Sequence, residues 1–357
     1  MKILTVVGAR PQFVKAAALS REIRKDFDEV LLHTGQHFDD NMSGIFFREL
    51  EIPEPDYNLG ISGGSHASMT ARMMTGIEEV LLKEKPDAVV VFGDTNSTLA
   101  AALTAVKLGF PLVHVEAGNR FGSPNMAEEV NSSLTDRCAS LLCCATPAEV
   151  ENLRKEGLAH KAVVVGNIMY DSFLWAESKN RNGDSLIDFN NNRVEIPPKY
   201  YYMTCHRQEN SNERSLREIM CAMNSLDVPT IFPVHPRNTE LALKIARSEK
   251  LDKLILVRPV GYLESVHLTK GATKVLTDSG GLQCEAFYAG TQCVTVFAKP
   301  MWPETLKDGR NAMAKADRND ILEKLGRSQS IDSSYRPFGN GNAAQKISAL
   351  IRNLKKD

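Results

Sequence analysis

Three carboxylates stand where an apolar strand gives way to a loop or helix, the position at which open α/β sheets place their ligands. Asp94 follows the run Ala88–Phe92, in Gly93-Asp94-Thr95-Asn96-Ser97. Glu116 follows Leu112–Val115, in His114-Val115-Glu116-Ala117-Gly118-Asn119-Arg120, and Glu128 opens a helix-like stretch over 128–139. Taken singly, each has a bland explanation. An Asp before a helix is a common N-cap, acids favour the first helical turn, and a buried Glu can sit in an ion pair. Converging on one site, they become an acid-base set, because mutual repulsion raises at least one pKa and lets one group donate while another accepts.

Other residues are of types that bind phosphate. Gly8 permits a tight turn after the first strand, Pro11 suits the first helical position, and Arg10 and Lys15 bring positive charge to that helix start. In the second half, His206 and Arg207 follow one strand and His235 follows another. The motif Thr277-Asp278-Ser279-Gly280-Gly281-Leu282-Gln283-Cys284-Glu285-Ala286 ends a strand and opens a helix. Ser279, Gly280 and Gly281 there offer backbone amides to a diphosphate, and Glu285, one turn in, could accept hydrogen bonds from ribose hydroxyls. The competing reading of that motif is a helix cap on a glycine-permitted turn. His206 and His235 lack partners at zinc-like spacing, so no metal is expected, and nothing calls for a cofactor.

The elements that must position these residues alternate. Strands are expected over 2–7, 30–33, 88–92, 112–115, 141–145 and 162–165, with helices over 12–25, 41–50, 68–83, 97–108, 128–139 and 147–156. A second series places strands over 200–204, 230–234, 254–257, 274–277 and 292–297. Between the two series, residues 178–198 carry Asn190-Asn191-Asn192 and Pro197-Pro198, which reads as a linker or surface excursion. The pattern predicts an α/β protein of two doubly wound Rossmann-like domains with a cleft between them: 1–168 with the carboxylates, 169–335 for nucleotide binding, and a terminal helix within 336–357.

Bulk properties agree. A chain of 357 residues suits two domains, and 43% hydrophobic with 24% charged residues is ordinary for a globular protein. Lys plus Arg numbers 43 against 44 for Asp plus Glu, leaving no global field for nucleic acid or anionic membrane. The seven cysteines are an odd number without metal-like spacing, expected as buried free thiols. No apolar run approaches the roughly 20 residues of a membrane span, and no basic leader precedes the first strand. A cytoplasmic location is expected.

With these residues in view, the sequence resembles the non-hydrolysing UDP-N-acetylglucosamine 2-epimerase family over nearly its whole length. The resemblance is carried by GARPQFVK at 8–15, HTGQHFD at 33–39, GDTNSTLA at 93–100, HVEAGNR at 114–120, EEVN at 128–131, TDSGGLQCEA at 277–286 and WPET at 302–305. It implies a fold like that of B-type glycosyltransferases, with the terminal helix crossing back onto the first domain. It implies epimerisation at C2 of a UDP-2-acetamido sugar, by anti elimination of UDP to a 2-acetamidoglucal and re-addition, in surface polysaccharide biosynthesis.

By resemblance, Asp94, Glu116 and Glu128 match the catalytic acids, with the proton-removing one left open. Arg10, Lys15 and His206 match residues that stabilise the leaving UDP; Ser279 and Gly280 match diphosphate binding and Glu285 ribose binding. Gln36, Arg207 and His235 match part of an allosteric UDP-sugar site found in some relatives, many of which are dimers. The chain departs from the family pattern at Asn119, Ala127, Ser132, Phe297 and Pro300-Met301. These departures leave the sugar open between UDP-N-acetylglucosamine, a UDP-2-acetamido-2,6-dideoxy-L-sugar and UDP-2,3-diacetamido-glucuronate. A hydrolysing epimerase and a glycosyltransferase of the same fold remain as alternatives.

Overall fold

Short runs of aliphatic and β-branched residues form the frame. In the computed structural model, which describes residues 1–36, 44–123, 125–179, 186–327, 332 and 334–354, these runs assemble into two parallel sheets. Contacts group the chain into two compact units, Met1–Trp175 with Arg336–Asp357, and Ala176–Tyr335.

The first unit holds strands β1 (Lys2–Val7), β2 (Asp28–His33), β3 (Tyr57–Asn58), β4 (Ala88–Phe92), β5 (Leu112–Val115), β6 (Leu141–Cys144) and β7 (Ala162–Val164). Helices α1 (Arg10–Ile23), α2 (Gly44–Glu49), α3 (His66–Glu84), α4 (Asn96–Lys107), α5 (Ala127–Cys138) and α6 (Pro147–Lys155) alternate with them, and α7 (Ile168–Ser178) runs to the end of the unit. β4, β5 and β6 are buried at every residue, as parallel strands covered on both faces must be. The aliphatic face of α3, with Met73, Ile77, Val80 and Leu81, packs on that core.

The second unit opens with a small antiparallel pair, β8 (Leu186–Ile187) and β9 (Arg193–Val194). Its parallel sheet comprises β10 (Tyr201–Met203), β11 (Thr230–Pro233), β12 (Leu254–Val257), β13 (Val275–Thr277), β14 (Cys293–Val296) and β15 (Asn311–Ala314). Between these strands lie α8 (Glu213–Asn224), α9 (Thr239–Ser248), α10 (Tyr262–Gly271) and α11 (Gly280–Ala289), followed by α12 (Arg318–Gly326). The last helix, α13 (Ala343–Arg352), belongs to the first unit: it packs on α1, its first two amides donate to Asp171 at 3.1 and 2.9 Å, and Arg352 reaches Asp26 at 2.5 Å.

Strand order explains where the chemistry can lie. The sheets run β3-β2-β1-β4-β5-β6-β7 and β12-β11-β10-β13-β14-β15. In each, the winding reverses between the first strand of its series and the fourth, β1 against β4 and β10 against β13. Loops leaving the carboxyl ends there diverge and open a crevice, the ligand position of doubly wound folds.

The α/β class and the principal elements match the sequence reading. Elements not anticipated include β3, which is two residues long, the β8–β9 pair inside the 178–198 stretch, β15 (Asn-Ala-Met-Ala), which has no β-branched residue, and α7, whose sequence is largely apolar. Part of the expected helix over 41–50 and of the excursion over 178–198 lies outside the described residues, as do positions 37–39 of the HTGQHFD motif. No helix among the described residues is long and apolar enough to cross a membrane.

Candidate active site

The switch point of the first unit is built by residues that leave β1, β4 and β5. Pro at the start of α1 presets its first turn, and Gln12, one turn in, is fully buried. Its carboxamide accepts the amides of Gly8 and Ala9 at 2.8 and 3.0 Å and donates to the Phe92 carbonyl at 3.0 Å and the Thr98 hydroxyl at 2.9 Å. One side chain therefore ties the exit of β1 to the exit of β4. Arg10 sits half-buried as the first residue of α1, and Lys15 follows on the same helix, buried.

Lys15 pairs with Glu116, and its ammonium also lies against Gly93, where an added Cβ would meet Nζ at 3.3 Å. Glu116 itself has φ of 67°, a left-handed backbone that a residue with a Cβ rarely adopts. The strain is held by Cys143, whose carbonyl accepts both the Glu116 and Ala117 amides at 3.0 and 3.1 Å. That turn swings the Glu116 side chain toward Lys15.

Asp94 is half-buried at the end of β4. Burial pushes its carboxyl up to about 6; Lys15 opposes the rise, Glu116 and Glu128 add to it, and His114 opposes it. A carboxyl group poised there can hold or release a proton near neutrality. Glu128 is exposed in the first turn of α5, while its half-buried neighbour Glu129 accepts the amides of Phe121 and Ser123 at 2.8 and 3.0 Å and so shapes the loop before the helix. The structure thus brings Arg10, Lys15, Asp94, Glu116 and Glu128 to one end of the first sheet.

Behind this set lies a buried polar layer to which the sequence reading gave no role. His114 donates from Nε2 to the Gly93 carbonyl at 2.7 Å and meets Asp136 Oδ1 with Nδ1 at 2.7 Å. Asp136 also accepts Gly118 N at 3.2 Å and Arg120 Nη2 at 2.8 Å. Burial raises the Asp136 carboxyl, but the cationic neighbours His114 and Arg120 outweigh it and hold the group below its ordinary value. Arg120 forks onto Glu156 at 2.7 and 2.9 Å. Asn131 donates to the Asp94 carbonyl at 2.9 Å. A His inside the apolar strand Leu112–Val115, and an Asp on the core-facing side of a helix, are the unread signals in the chain for this layer.

The second unit repeats the logic with cations. Asp278 is buried at the end of β13 and accepts the amides of His206 (3.1 and 3.0 Å) and Arg207 (2.9 Å), the Asn210 amide group at 3.2 Å, and His206 Nδ1 at 3.0 Å. Burial raises the Asp278 carboxyl, and these partners, His206 foremost, bring it below its ordinary value. Asn210 also donates to the Val296 carbonyl at 3.0 Å, so Asp278 and Asn210 lace the ends of β10, β13 and β14.

The basic side chains sit around this lacing. The His235 ring lies 6.0 Å from that of His206, and Arg237 donates to the His206 carbonyl at 3.2 Å. Arg207 donates from Nε to the Asp278 carbonyl at 2.7 Å, rests 4.0 Å over the Phe297 ring and touches the Met301 sulfur at 2.8 Å. Two departures from the family pattern, Phe297 and Met301, therefore hold Arg207.

Ser279 is the N-cap of α11, accepting Leu282 N at 3.3 Å with its hydroxyl. Gly280 and Gly281 supply first-turn amides, which have no acceptor within a helix. Glu285 is buried one turn along. His206, Arg207, His235, Ser279, Gly280, Gly281 and Glu285 thus all belong to one sheet end of the second unit, whereas Gln36 belongs to the first, accepting Ser97 Oγ at 2.8 Å at the start of α4. Among the described residues, no group of three or more His, Cys, Asp or Glu side chains is placed to hold a metal ion.

Two doubly wound parallel sheets, each presenting charged residues at its switch point, define a nucleotide-binding α/β enzyme of the B-type glycosyltransferase architecture. Residues 21–352 match the family described as UDP-N-acetylglucosamine 2-epimerase, and the chain belongs to that family of isomerases. It is 44% identical to a UDP-N-acetylglucosamine 2-epimerase homolog of Methanococcus maripaludis, over 99% of this chain and 100% of the relative. It is 40% identical, over the same shares, to a UDP-2,3-diacetamido-2,3-dideoxy-D-glucuronate 2-epimerase of Pseudomonas aeruginosa. The crystal structure of Methanocaldococcus jannaschii UDP-GlcNAc 2-epimerase in complex with UDP-GlcNAc and UDP superposes with a TM-score of 0.84 at 36% identity, covering 99% of both chains.

Proposed function

We propose that the protein interconverts the C2 epimers of a UDP-2-acetamido sugar, UDP-N-acetylglucosamine or a close analogue, without releasing the free sugar. The reading rests on one observation: Asp94 is held near neutrality with Glu116 and Glu128 acting on it, and Lys15 lies against both Glu116 and the Gly93 turn. The C2 proton of such a sugar is unactivated, so its removal must accompany loss of the anomeric leaving group. One carboxylate of the set takes the C2 proton. The C2–H electron pair becomes the C1=C2 bond, and the C1–O bond breaks with its pair passing to UDP, which leaves a 2-acetamidoglucal. Return of UDP to C1, with a proton delivered to the opposite face at C2 by a second member of the set, inverts that centre.

The remaining roles are proposed on the same reading. Arg10, Lys15 and His206 offset charge on the departing diphosphate. Ser279, Gly280 and Gly281 hold the diphosphate at the start of α11, and Glu285 binds the ribose. Gln36, Arg207 and His235 are assigned to a second UDP-sugar site, and a homodimer is the proposed assembly. Relatives that carry the names of both UDP-N-acetylglucosamine and UDP-2,3-diacetamido-glucuronate epimerases support the reaction and leave two sugars to compare. Proton NMR of the protein with a panel of UDP-HexNAc sugars tests the reading. Appearance of the C2 epimer still joined to UDP is the expected result; free sugar with stoichiometric UDP would instead identify a hydrolysing enzyme.

A further inference from the structure

The buried pair behind Asp94 has no direct access to a ligand, yet both faces of its histidine are committed. Gly93 O can only accept a hydrogen bond, so His114 Nε2 carries a proton at that 2.7 Å contact. Asp136 already accepts Arg120 and the Gly118 amide on Oδ2, and the Arg120 cation at 2.8 Å favours the ionised carboxylate over an acid protonated on Oδ1. Its other oxygen, 2.7 Å from Nδ1, therefore accepts as well. With an acceptor carbonyl on one side and that carboxylate on the other, the ring carries a proton on both nitrogens. His114 and Asp136 are both fully buried, where a charged ring is tolerated only with such a partner.

We propose that the His114–Asp136 pair is a positioning device for Asp94: the imidazolium anchors the Gly93 carbonyl from β5 and sets a fixed positive charge behind the Asp94 carboxyl group. Asn131 holds the next carbonyl, that of Asp94 itself, so the peptide groups on both sides of the Asp94 α-carbon are pinned from the core. The groups facing Asp94 are Lys15 from α1, Glu116 and His114 from β5 and its exit, and Glu128 from α5; those facing His114 are Asp136, with Arg120 beyond it. Of the two cations acting on Asp94, Lys15 borders the solvent-facing site and can respond to a ligand, whereas His114 is sealed in the core. The division gives Asp94 a constant electrostatic background that does not change when UDP departs.

The positioning role rests on the epimerase reading only in making Asp94 a working acid-base group, and two sets of measurements separate them. In the unaltered protein, nitrogen-15 NMR of the histidine rings, with His114 assigned by His114→Gln, is expected to show both His114 nitrogens protonated at neutral pH; a neutral tautomer overturns the inference. In His114→Gln, whose amide can still donate to the Gly93 carbonyl, the Asp94 carboxyl titration followed by carbon-13 NMR is expected to move upward by about one unit. The pH profile of kcat is expected to move with it, kcat at neutral pH to fall roughly tenfold or more, and KM to change little. An unmoved titration and profile in a folded His114→Gln protein would also overturn it. Should His114→Gln fail to fold, the ring spectra of the unaltered protein, assigned by Asp136→Asn, decide the question by themselves. If no UDP-sugar is turned over, the epimerase reading fails while the ring and carboxyl titrations still judge the positioning role.

Discussion

Asp278 grips His206 three ways, accepting the backbone amide through both carboxylate oxygens at 3.1 and 3.0 Å and the ring Nδ1 at 3.0 Å. The buried carboxylate fixes both the position and the ring orientation of a histidine whose side chain is 40% exposed. The result is an imidazole held at the end of β10 by a strand-end acid on β13.

Asp278→Ala removes the acceptor shared by four donors: the His206 and Arg207 amides, the Asn210 side chain and the His206 ring. A loss of about 3 kcal/mol in unfolding free energy is expected from chemical denaturation, together with weaker UDP binding. Because the folded state holds Asp278 below its ordinary value, its contribution is present above the unfolded-state pKa and is lost as pH falls through the lower folded one. Acid titration of the unaltered protein and of Asp278→Asn should therefore converge at low pH.

Asp94 works in the opposite direction. Its carboxyl is raised from the ordinary 3.8 to about 6, so ionising it destabilises the folded protein. The penalty is absent while the group is protonated in both states, develops between those two values, and persists above them. Asp94→Asn is expected to unfold at higher denaturant concentration than the unaltered protein at about pH 8, by about 1–2 kcal/mol, with no difference at about pH 3. The same variant should lose turnover by roughly a thousandfold while UDP binding, measured by calorimetry, is retained.

Glu116 combines a charge with a strained backbone, and two substitutions separate them. Both Glu116→Gln and Glu116→Gly remove the partner of Lys15, but only Gly relieves the φ of 67°. Turnover should fall in both by roughly a hundredfold or more. Thermal and denaturant unfolding should find Glu116→Gly more stable than Glu116→Gln by about 1 kcal/mol. Equal stabilities would mean that the left-handed turn stores no strain.

Gly8 lies where β1 passes closest to its neighbours: an added Cβ would stand 2.1 Å from Thr34 Oγ1 and 2.2 Å from Ser97 Oγ. Neither hydroxyl is at the end of a long flexible chain, and the two bond each other at 2.8 Å. Gly8→Ala should therefore displace the start of α4 and lower stability by about 1–3 kcal/mol. Its kcat should fall more than its affinity for UDP, because the displaced segment begins two residues after Asp94.

Much of this was legible in the chain. Aliphatic runs such as Ala88–Phe92 announce buried parallel strands, and polar residues directly after them announce the sheet end where ligands bind. Asp94, Glu116 and Ser279 were singled out that way. The pairing of Lys15 with Glu116 was not, because it depends on a left-handed turn at a residue other than glycine. His114, Asp136, Gln12 and Asp278 were present in the sequence without a role. Their function is to bind backbone groups far apart in sequence, Gln12 to Phe92 for example, and such contacts exist only once strand order is known. The short strands β3 and β15 are likewise products of the sheet that recruits them.

The most direct test of the account is the fate of the C2 hydrogen. Incubation of the protein with a UDP-2-acetamido sugar in deuterated water is predicted to place deuterium at C2 of both epimers, with the sugar still joined to UDP. Epimers that form without deuterium, or no exchange with any UDP-HexNAc tried, would contradict proton transfer by the Asp94, Glu116 and Glu128 set.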